Sequence, residues 1–167
     1  HGLAYSLAAN NKKVLMLDTN FKTPLPEAYI NQPTLNAPLL NAAIQRHGLE
    51  SIFDLKREGQ PAAGEVNIDI LGNTGLHRSP AELLDPVVFR AFLSDLRAHY
   101  DFIFMESAAL NTYSDAQELL PYVEAVIAVF NAGSTVRPAD QESLNYLKNL
   151  GDKFVGAVLT GVDERNT

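Results

Sequence analysis

The sequence predicts an α/β domain, with a doubly wound and mainly parallel sheet flanked by helices. Five short apolar runs are bounded by turn residues, and helical patterns lie between most of them. Because these runs are continuous rather than alternating, they are typical of strands that are buried on both faces, as in a parallel sheet. The predicted strands cover residues 13–18, 66–71, 100–105, 125–130 and 154–159.

The first helix and strand are followed by a long irregular stretch. GLAYSLA has a helical pattern, and KVLMLD then forms the first apolar run. Residues 21–64 contain four prolines and a helix candidate at 39–48. Because Ile52, Phe53 and Leu55 would anchor this stretch to the core, we predict a loop-rich excursion within one domain of residues 1–167.

The helix between the second and third strands shows its start in the sequence. Ser79, Pro80 and Glu82 have the spacing of a capping box with proline at the first helical position. Pro86 lies too far along for a smooth helix, so we expect a short turn and then a main helix from about residue 86. The side chains expected to face the sheet are Leu83, Val87, Phe92, Leu93 and Leu96.

A further helix is predicted between the fourth and fifth strands. Pro138 is placed to begin it, and Gly151 is placed to end it. Leu144, Leu147 and Leu150 form one apolar stripe along it. Both of these helices are therefore expected to cover the sheet as crossover connections.

The composition restricts the kind of protein further. The 167 residues are 46% hydrophobic, which suffices for one core, and they contain no cysteine, which excludes a disulfide framework and a thiolate metal site. The chain has 13 Lys and Arg against 20 Asp and Glu, a formal net charge of −7. This balance disfavours a nucleic-acid-binding surface, which needs clustered positive charge. No apolar run approaches the roughly 20 residues of a membrane-spanning helix.

Polar side chains follow the apolar runs at the points where the strands end. Asp18 directly follows VLML, and Glu106 directly follows FIFM. Ligands of doubly wound sheets bind at the carboxyl ends of the strands, and two acids at neighbouring ends are the geometry of a magnesium–nucleotide site. A structural role stays open for both: Asp18 as a turn or cap residue, and Glu106 as an acceptor for neighbouring backbone N–H groups.

The strongest sequence signal of nucleotide binding does not occur in these residues. GNTGLHRSP has two glycines but no following Gly-Lys-Ser/Thr, so we interpret it as a flexible strand-to-helix turn. The four histidines are scattered without ligand spacing, so no metal cluster is expected.

The order of the segments resembles the cytoplasmic kinase domain of bacterial tyrosine kinases of capsular and extracellular polysaccharide synthesis. These kinases belong to the wider family of deviant P-loop ATPases. The resemblance runs through residues 1–24, 67–84, 99–136 and 154–163, in order and at matching spacing. NIDIL, a Gly-containing loop and SPAELL favour the kinase branch over the partitioning ATPases.

The resemblance implies site residues, of which several differ from the family pattern. LDTNFKTP matches the family's second acidic motif, with Asp18 as its first acid, a metal-side and catalytic residue, and Asn20 in place of its second acid. YDFIFMESAA matches the Walker B strand, with Glu106 as the acid on the magnesium side and Ser107 in place of threonine.

Two further positions are implied near the end of the sequence. VLTGVD matches the family's segment by the adenine pocket, with Thr160 in place of asparagine and Asp163 retained. The resemblance therefore implies cofactor-binding roles for Asn20, Ser107, Thr160 and Asp163. Asn20 cannot accept a proton and Glu106 is one methylene longer than aspartate, so weak or absent catalysis is expected.

The family's P-loop would lie just before the helix GLAYSLA. We therefore expect an N-terminally truncated domain, with its first strand and P-loop upstream, and with ATP and Mg²⁺ as cofactors if that loop exists and none otherwise. A sheet without that strand would leave an apolar slot and unpaired backbone groups.

The resemblance also implies partners and a location. It implies a fused or separate membrane-bound chain-length regulator, a homo-oligomer, no nucleic acid, and a cytoplasmic position at the inner face of the plasma membrane. Two alternatives stay open: a non-catalytic assembly module of the same fold, and a partitioning-type ATPase of the MinD or ParA kind.

Overall fold

The computed structural model describes residues 2–23, 68–73, 77–135 and 137–162. Within these ranges helices and strands alternate along most of the chain. Their order is α1 (Gly2–Ala9), β1 (Val14–Asp18), β2 (Ile68–Leu71), α2 (Pro80–Leu83), α3 (Pro86–Arg97), β3 (Phe102–Glu106), α4 (Asp115–Leu119), β4 (Val126–Asn131), α5 (Pro138–Asn149) and β5 (Phe154–Thr160). Short 3₁₀ turns follow α4 at Leu120–Tyr122 and α5 at Gly151–Lys153.

All five predicted strands are confirmed, and every strand pairing among the described residues is parallel. β1 lies between β2 and β3 in a three-stranded sheet, while β4 and β5 form a separate two-stranded sheet. The predicted α/β class with a parallel sheet is therefore confirmed. The excursion predicted for residues 21–64 lies outside the described residues from residue 24 onward.

The first sheet has a covered face on each side. On one side, α3 packs Phe89, Phe92, Leu93 and Leu96 against Leu15 and Leu17 of β1. On the other side, α1 packs Ala4 and Ala8 against Val14 and Met16 of the same strand. All five residues of β1 are consequently buried.

The helix ends follow the predicted signals. Glu82 accepts a hydrogen bond from the backbone N–H of Ser79 at 2.8 Å, which completes one half of the capping box. The helical segment breaks after α2, and the Asp85 carboxylate then caps α3 by accepting from Val87 and Val88. Gly151, with φ of 58°, follows α5 in the left-handed conformation that ends many helices.

The prediction that Val87 of α3 faces the sheet is wrong. Val87 is 73% exposed, whereas Phe89, which the prediction left out, is 1% exposed. Val87 lies two residues before Phe89, about 200° around the helix axis, so it faces away from the apolar stripe of Phe89, Phe92, Leu93 and Leu96.

A buried hydrogen bond links the end of α3 to β2. The Tyr100 hydroxyl donates to the Asp69 carboxylate at 2.6 Å, and both residues are buried. Burial, together with this carboxylate, raises the pKa of Tyr100 well above its ordinary value. The pair therefore holds the chain that enters β3 against the opposite edge strand of the sheet.

Helix α1 runs antiparallel to β1. Residues 10–13 connect the two elements, and Asn11 lies in the left-handed region with φ of 59°. The last turn of α1 therefore lies at the amino end of β1, and its first turn, about 12 Å away, lies toward the carboxyl ends of the strands.

The second sheet is much more exposed than the first. Val129, Val155 and Leu159 are 59–67% exposed, although Leu147 of α5 is buried. Parallel strands are ordinarily covered on both faces, so this exposure is unusual for the architecture. Within the ranges that the structure describes, no helix is long and apolar enough to span a bilayer.

Candidate functional site

The two acids predicted for the site lie side by side. Asp18 of β1 and Glu106 of β3 are register partners, each the last residue of its strand. Asp18 is completely buried, while Glu106 is half-buried. The sheet therefore presents two neighbouring carboxylates at its carboxyl edge.

The backbone around Asp18 is fixed by local hydrogen bonds. The Asp18 carboxylate accepts from the backbone N–H of Asn20 at 3.2 Å, and the Asn20 side-chain oxygen accepts from the N–H of Thr23 at 3.1 Å. These bonds turn the chain away from the strand, as short polar side chains commonly do. The turn role that the sequence left open for Asp18 is thus present, alongside its position at the edge.

Asn73 also lies at the site, although the sequence pattern did not predict it. Its buried side-chain amide donates to the backbone oxygen of Asp18 at 2.9 Å and to that of Asn20 at 3.4 Å. It lies two residues beyond the end of β2, so its position after an apolar run was the available signal. An uncharged amide in a glycine-containing turn nevertheless suggested only a loop.

A second side chain links the two strand ends directly. The buried Thr19 hydroxyl donates to the backbone oxygen of Glu106 at 2.7 Å. Ser107, the next residue, is half-buried, and its hydroxyl donates to the backbone oxygen of Ala108 at 3.3 Å. The residues after β1 and β3 are therefore held together at the site.

The environment of Glu106 disfavours its charged form. Burial raises the pKa of its carboxyl group above the ordinary value, because removal from water costs more for the carboxylate than for the neutral acid. A cation beside this side chain would favour the carboxylate again. The surroundings of Glu106 therefore suit a side chain that is a carboxylate when a metal ion is bound beside it.

The remaining predicted residues do not join this cluster. Thr160 ends β5 in the second sheet, pairs in register with Asn131, and donates from its hydroxyl to the backbone oxygen of Phe130 at 3.2 Å. Asp163 lies outside the described residues. The adenine-side roles of Thr160 and Asp163 stay predictions.

Two side chains from the segments that follow the acid-bearing strands contact each other. The Lys22 ammonium lies 5.5 Å from the centre of the Tyr113 ring, within reach of a cation–π interaction. Lys22 follows β1 and Tyr113 follows β3, so this contact joins the two segments. Asp115, also beyond β3, is only 2% exposed, and its Oδ2 has no hydrogen-bond partner among the residues that the structure describes.

The donor set suits a magnesium ion that arrives with a nucleotide. In the described part of the chain, no group of three or more His, Cys, Asp and Glu residues could hold a metal ion. Mg²⁺ is commonly bound through one or two carboxylates together with substrate phosphates and waters. Asp18 and Glu106 supply that number of carboxylates, so they fit a nucleotide-borne magnesium better than a resident one.

One curated protein shows sequence similarity along nearly the whole chain. CapB of Staphylococcus aureus, named as a candidate tyrosine-protein kinase, is 26% identical over 158 residues, which are 94% of this chain and 65% of CapB. The chain thus spans just under two thirds of the length of this relative. No protein-family model matches the chain.

Solved structures agree with this similarity. The VpsO kinase domain is 27% identical, with a TM-score of 0.71 over 96% of this chain and 75% of VpsO. The kinase domain of the Escherichia coli tyrosine kinase ETK is 21% identical, with a TM-score of 0.71 over 99% of this chain and 62% of that structure. The chimeric protein CapA2B2 is 20% identical, with a TM-score of 0.71 over 97% and 68% of the two chains. The predicted resemblance is therefore confirmed: in sequence and in fold, this chain is similar to the kinase domains of bacterial tyrosine kinases of capsule and exopolysaccharide synthesis.

Proposed function

We propose that this chain is the nucleotide-binding part of a tyrosine-kinase-type regulator of capsule or exopolysaccharide synthesis. The observation that carries the proposal is the pairing of Asp18 and Glu106 at the carboxyl edge of a parallel sheet. Magnesium is commonly bound by one or two carboxylates together with the phosphates of a nucleotide. The edge thus has carboxylates for the metal ion of Mg²⁺-ATP.

Each residue at the edge has a separate task in this proposal. Asp18 and Glu106 would hold the magnesium ion through waters, and Thr19 fixes their spacing by its bond across the strands. When bound, magnesium neutralises charge on the phosphates and orients them for transfer. Asn73 holds the turn after Asp18 in place, so the carboxylate stays at the edge.

Phosphoryl transfer by this chain is proposed to be weak. Asn20 stands where the resembled motif has a second acid, and its side-chain oxygen already accepts from the backbone of Thr23. An amide cannot accept a proton from an attacking hydroxyl, so general-base catalysis from this position is lost. Asp18, the remaining candidate base, is completely buried.

A non-catalytic assembly module is the second candidate, and the same observations at Asp18 and Asn20 favour it. In both cases we propose that the protein acts at the inner face of the plasma membrane, in contact with a membrane-bound chain-length regulator and as a homo-oligomer. The CapA2B2 chimera is relevant to the partner, because two proteins are joined in it. Nucleic acid is not a proposed partner, given the net charge of −7.

Nucleotide binding and phosphotyrosine formation are the measurements that test the proposal. In the full protein, calorimetry should detect Mg²⁺-ATP binding that Asp18→Asn abolishes, while the Asp95→Asn control on the exposed face of α3 leaves binding unchanged. Incubation with Mg²⁺-ATP and detection of phosphotyrosine then separates a weak kinase from an assembly module. A folded wild-type protein that binds no Mg²⁺-ATP would show the proposed nucleotide site to be wrong.

A further inference from the structure

We propose that the amino edge of the two parallel sheets is a docking surface for an anionic lipid bilayer. The amino edge is defined here as the residues that lead into β1, β3, β4 and β5, namely 10–13, 97–101, 122–125 and 148–153. This inference rests on the part of the proposed function that locates the protein at the inner face of the plasma membrane. It goes beyond that proposal because it identifies the side of the molecule that meets the lipids.

Contacts between the turns make the amino edge one continuous surface. The backbone oxygen of Lys13 accepts hydrogen bonds from the N–H groups of Asp101 and Phe102 at 2.9 and 3.2 Å, so the turns before β1 and β3 adjoin. Arg97 forms an ion pair with Glu124 at 3.2 Å, which connects this region to the turn before β4. The turn before β5 adjoins that before β4, because the two strands pair in parallel from their first residues.

Positive charge is concentrated at the amino edge. Among the residues that the structure describes, the edge holds five basic against three acidic residues, whereas the remainder holds four basic against ten acidic residues. The charged residues of the edge are Lys12, Lys13, Arg97, Lys148 and Lys153, with Asp101, Glu124 and Asp152. An anionic bilayer therefore attracts this side of the molecule and repels the rest.

Two of the three acids at the amino edge are engaged within the protein. Asp101 accepts a hydrogen bond from the backbone N–H of Lys13 at 2.8 Å, and the Glu124 carboxylate pairs with the Arg97 guanidinium. These contacts reduce the negative potential that the two carboxylates present to a bilayer.

Lys12 and Lys13 are the centre of the proposed surface. They are adjacent and exposed, and they lie in the turn between α1 and β1. The hydrogen bonds that hold this turn use their backbone atoms, so their ammonium groups can extend toward lipid headgroups. Lys148 is exposed on the same edge, whereas the Lys153 ammonium donates to the backbone oxygen of Leu120 at 2.7 Å and is committed to the fold.

Exposed apolar side chains at the amino edge favour a bilayer over other anionic partners. Phe102, the first residue of β3, is 40% exposed, and Val155, the second residue of β5, is 60% exposed. Basic side chains bind lipid headgroups, while apolar side chains beside them enter the boundary between headgroups and acyl chains. A nucleic acid would offer phosphates to the lysines but no apolar phase to these two residues.

The experiment is flotation of the full 167-residue chain with vesicles of phosphatidylcholine, with or without phosphatidylglycerol as the anionic lipid. We expect the chain to float only with the anionic vesicles. Combining Lys12→Gln with Lys13→Gln should weaken this binding about twenty-fivefold, because each lysine near the surface contributes about fivefold. About 1 M NaCl should abolish it, since the Debye length is then only about 3 Å.

A matched pair of substitutions provides the control. Arg78→Gln combined with Arg137→Gln removes the same charge from exposed positions, in loops that follow the carboxyl ends of β2 and β4. This pair should leave vesicle binding unchanged. Urea unfolding without vesicles verifies that both double variants are folded.

Each outcome decides the question. Binding to anionic vesicles that depends on the two lysines and not on the two arginines supports the docking edge. Equal losses in both double variants would show a dependence on net charge alone and would overturn it, as would equal flotation with uncharged vesicles or none with anionic ones. The assay contains no nucleotide, so its failure leaves the proposed nucleotide site intact, and a failure of Mg²⁺-ATP binding leaves the docking edge to be decided by flotation.

Discussion

The buried hydrogen bond between Tyr100 and Asp69 gives the sharpest stability prediction. Tyr100→Phe removes one oxygen and keeps the ring, so packing against the first sheet is preserved. The bond is 2.6 Å long, as is typical of a hydroxyl donating to a carboxylate, and both residues are at most 7% exposed. The substitution therefore leaves a buried carboxylate without this donor.

The magnitude follows from that geometry. Hydrogen bonds to charged groups contribute about 1.5–3 kcal/mol, and the loss of a donor to a buried carboxylate lies toward the upper end of this range, so we expect a loss of about 2–3 kcal/mol. For a chain of this length, the melting temperature should fall by roughly 4–12 °C. Urea unfolding measures the free energy, and calorimetry measures the temperature.

The pH dependence offers an independent check. Because the pKa of Tyr100 is raised above its ordinary value of 10.0 in the folded protein, the folded state holds this proton more tightly than the unfolded state. The contribution of this proton to the stability of the folded protein is complete below pH 10 and is lost as the pH rises above that value. Tyr100→Phe should remove this alkaline loss, whereas Tyr5→Phe, at a 58% exposed position, should retain it. A change below about 0.5 kcal/mol on Tyr100→Phe would refute the reasoning, since surface substitutions have effects of that size.

Two further predictions concern the core and the site. Leu96→Ala should lower the free energy of unfolding by about 2–5 kcal/mol, because Leu96 is completely buried. The exposed Val87 provides the control, and Val87→Ala should lower this free energy by less than about 1 kcal/mol. Equal losses in urea unfolding would contradict the assignment of the apolar stripe of α3. Glu106→Gln should stabilise the protein at pH 7 and not below pH 4. The pKa of Glu106 is raised in the folded state, so its carboxyl group destabilises the folded protein once the pH exceeds the pKa of this group in the unfolded chain. Unfolding curves at the two pH values measure this difference, and a gain that is the same at both would rule out the ionisation of Glu106 as its cause.

The strands could be predicted because each is a short apolar run with its own turn signals. The helix starts could be predicted for the same reason, because their signals are local: Ser79 and Glu82 bond to each other within one turn. The inward face of α3 was less certain, because several apolar side chains near its first turn fit more than one stripe. Val87 was assigned to the sheet side in place of Phe89, although the two lie on opposite sides of the helix.

The site could be predicted only where strand topology determines it. Asp18 and Glu106 each end an apolar run, so parallel pairing was enough to predict their proximity. Asn73 and Asp115 depend instead on how separate segments pack, and no local pattern marks an amide or a carboxylate as buried. Thr160 belongs to a second sheet, and no short sequence motif predicts the position of that sheet.

The central position of β1 has a consequence for hydrogen exchange. Its amides bond to neighbours on both sides, and helices cover both of its faces, so they should exchange among the slowest in the protein. Asp18 is thus attached to a part of the chain that rarely opens, whereas Glu106 belongs to a less buried strand. Protection gained on ligand binding should consequently be largest around residues 102–115, and the strand that carries the first acid should hardly change.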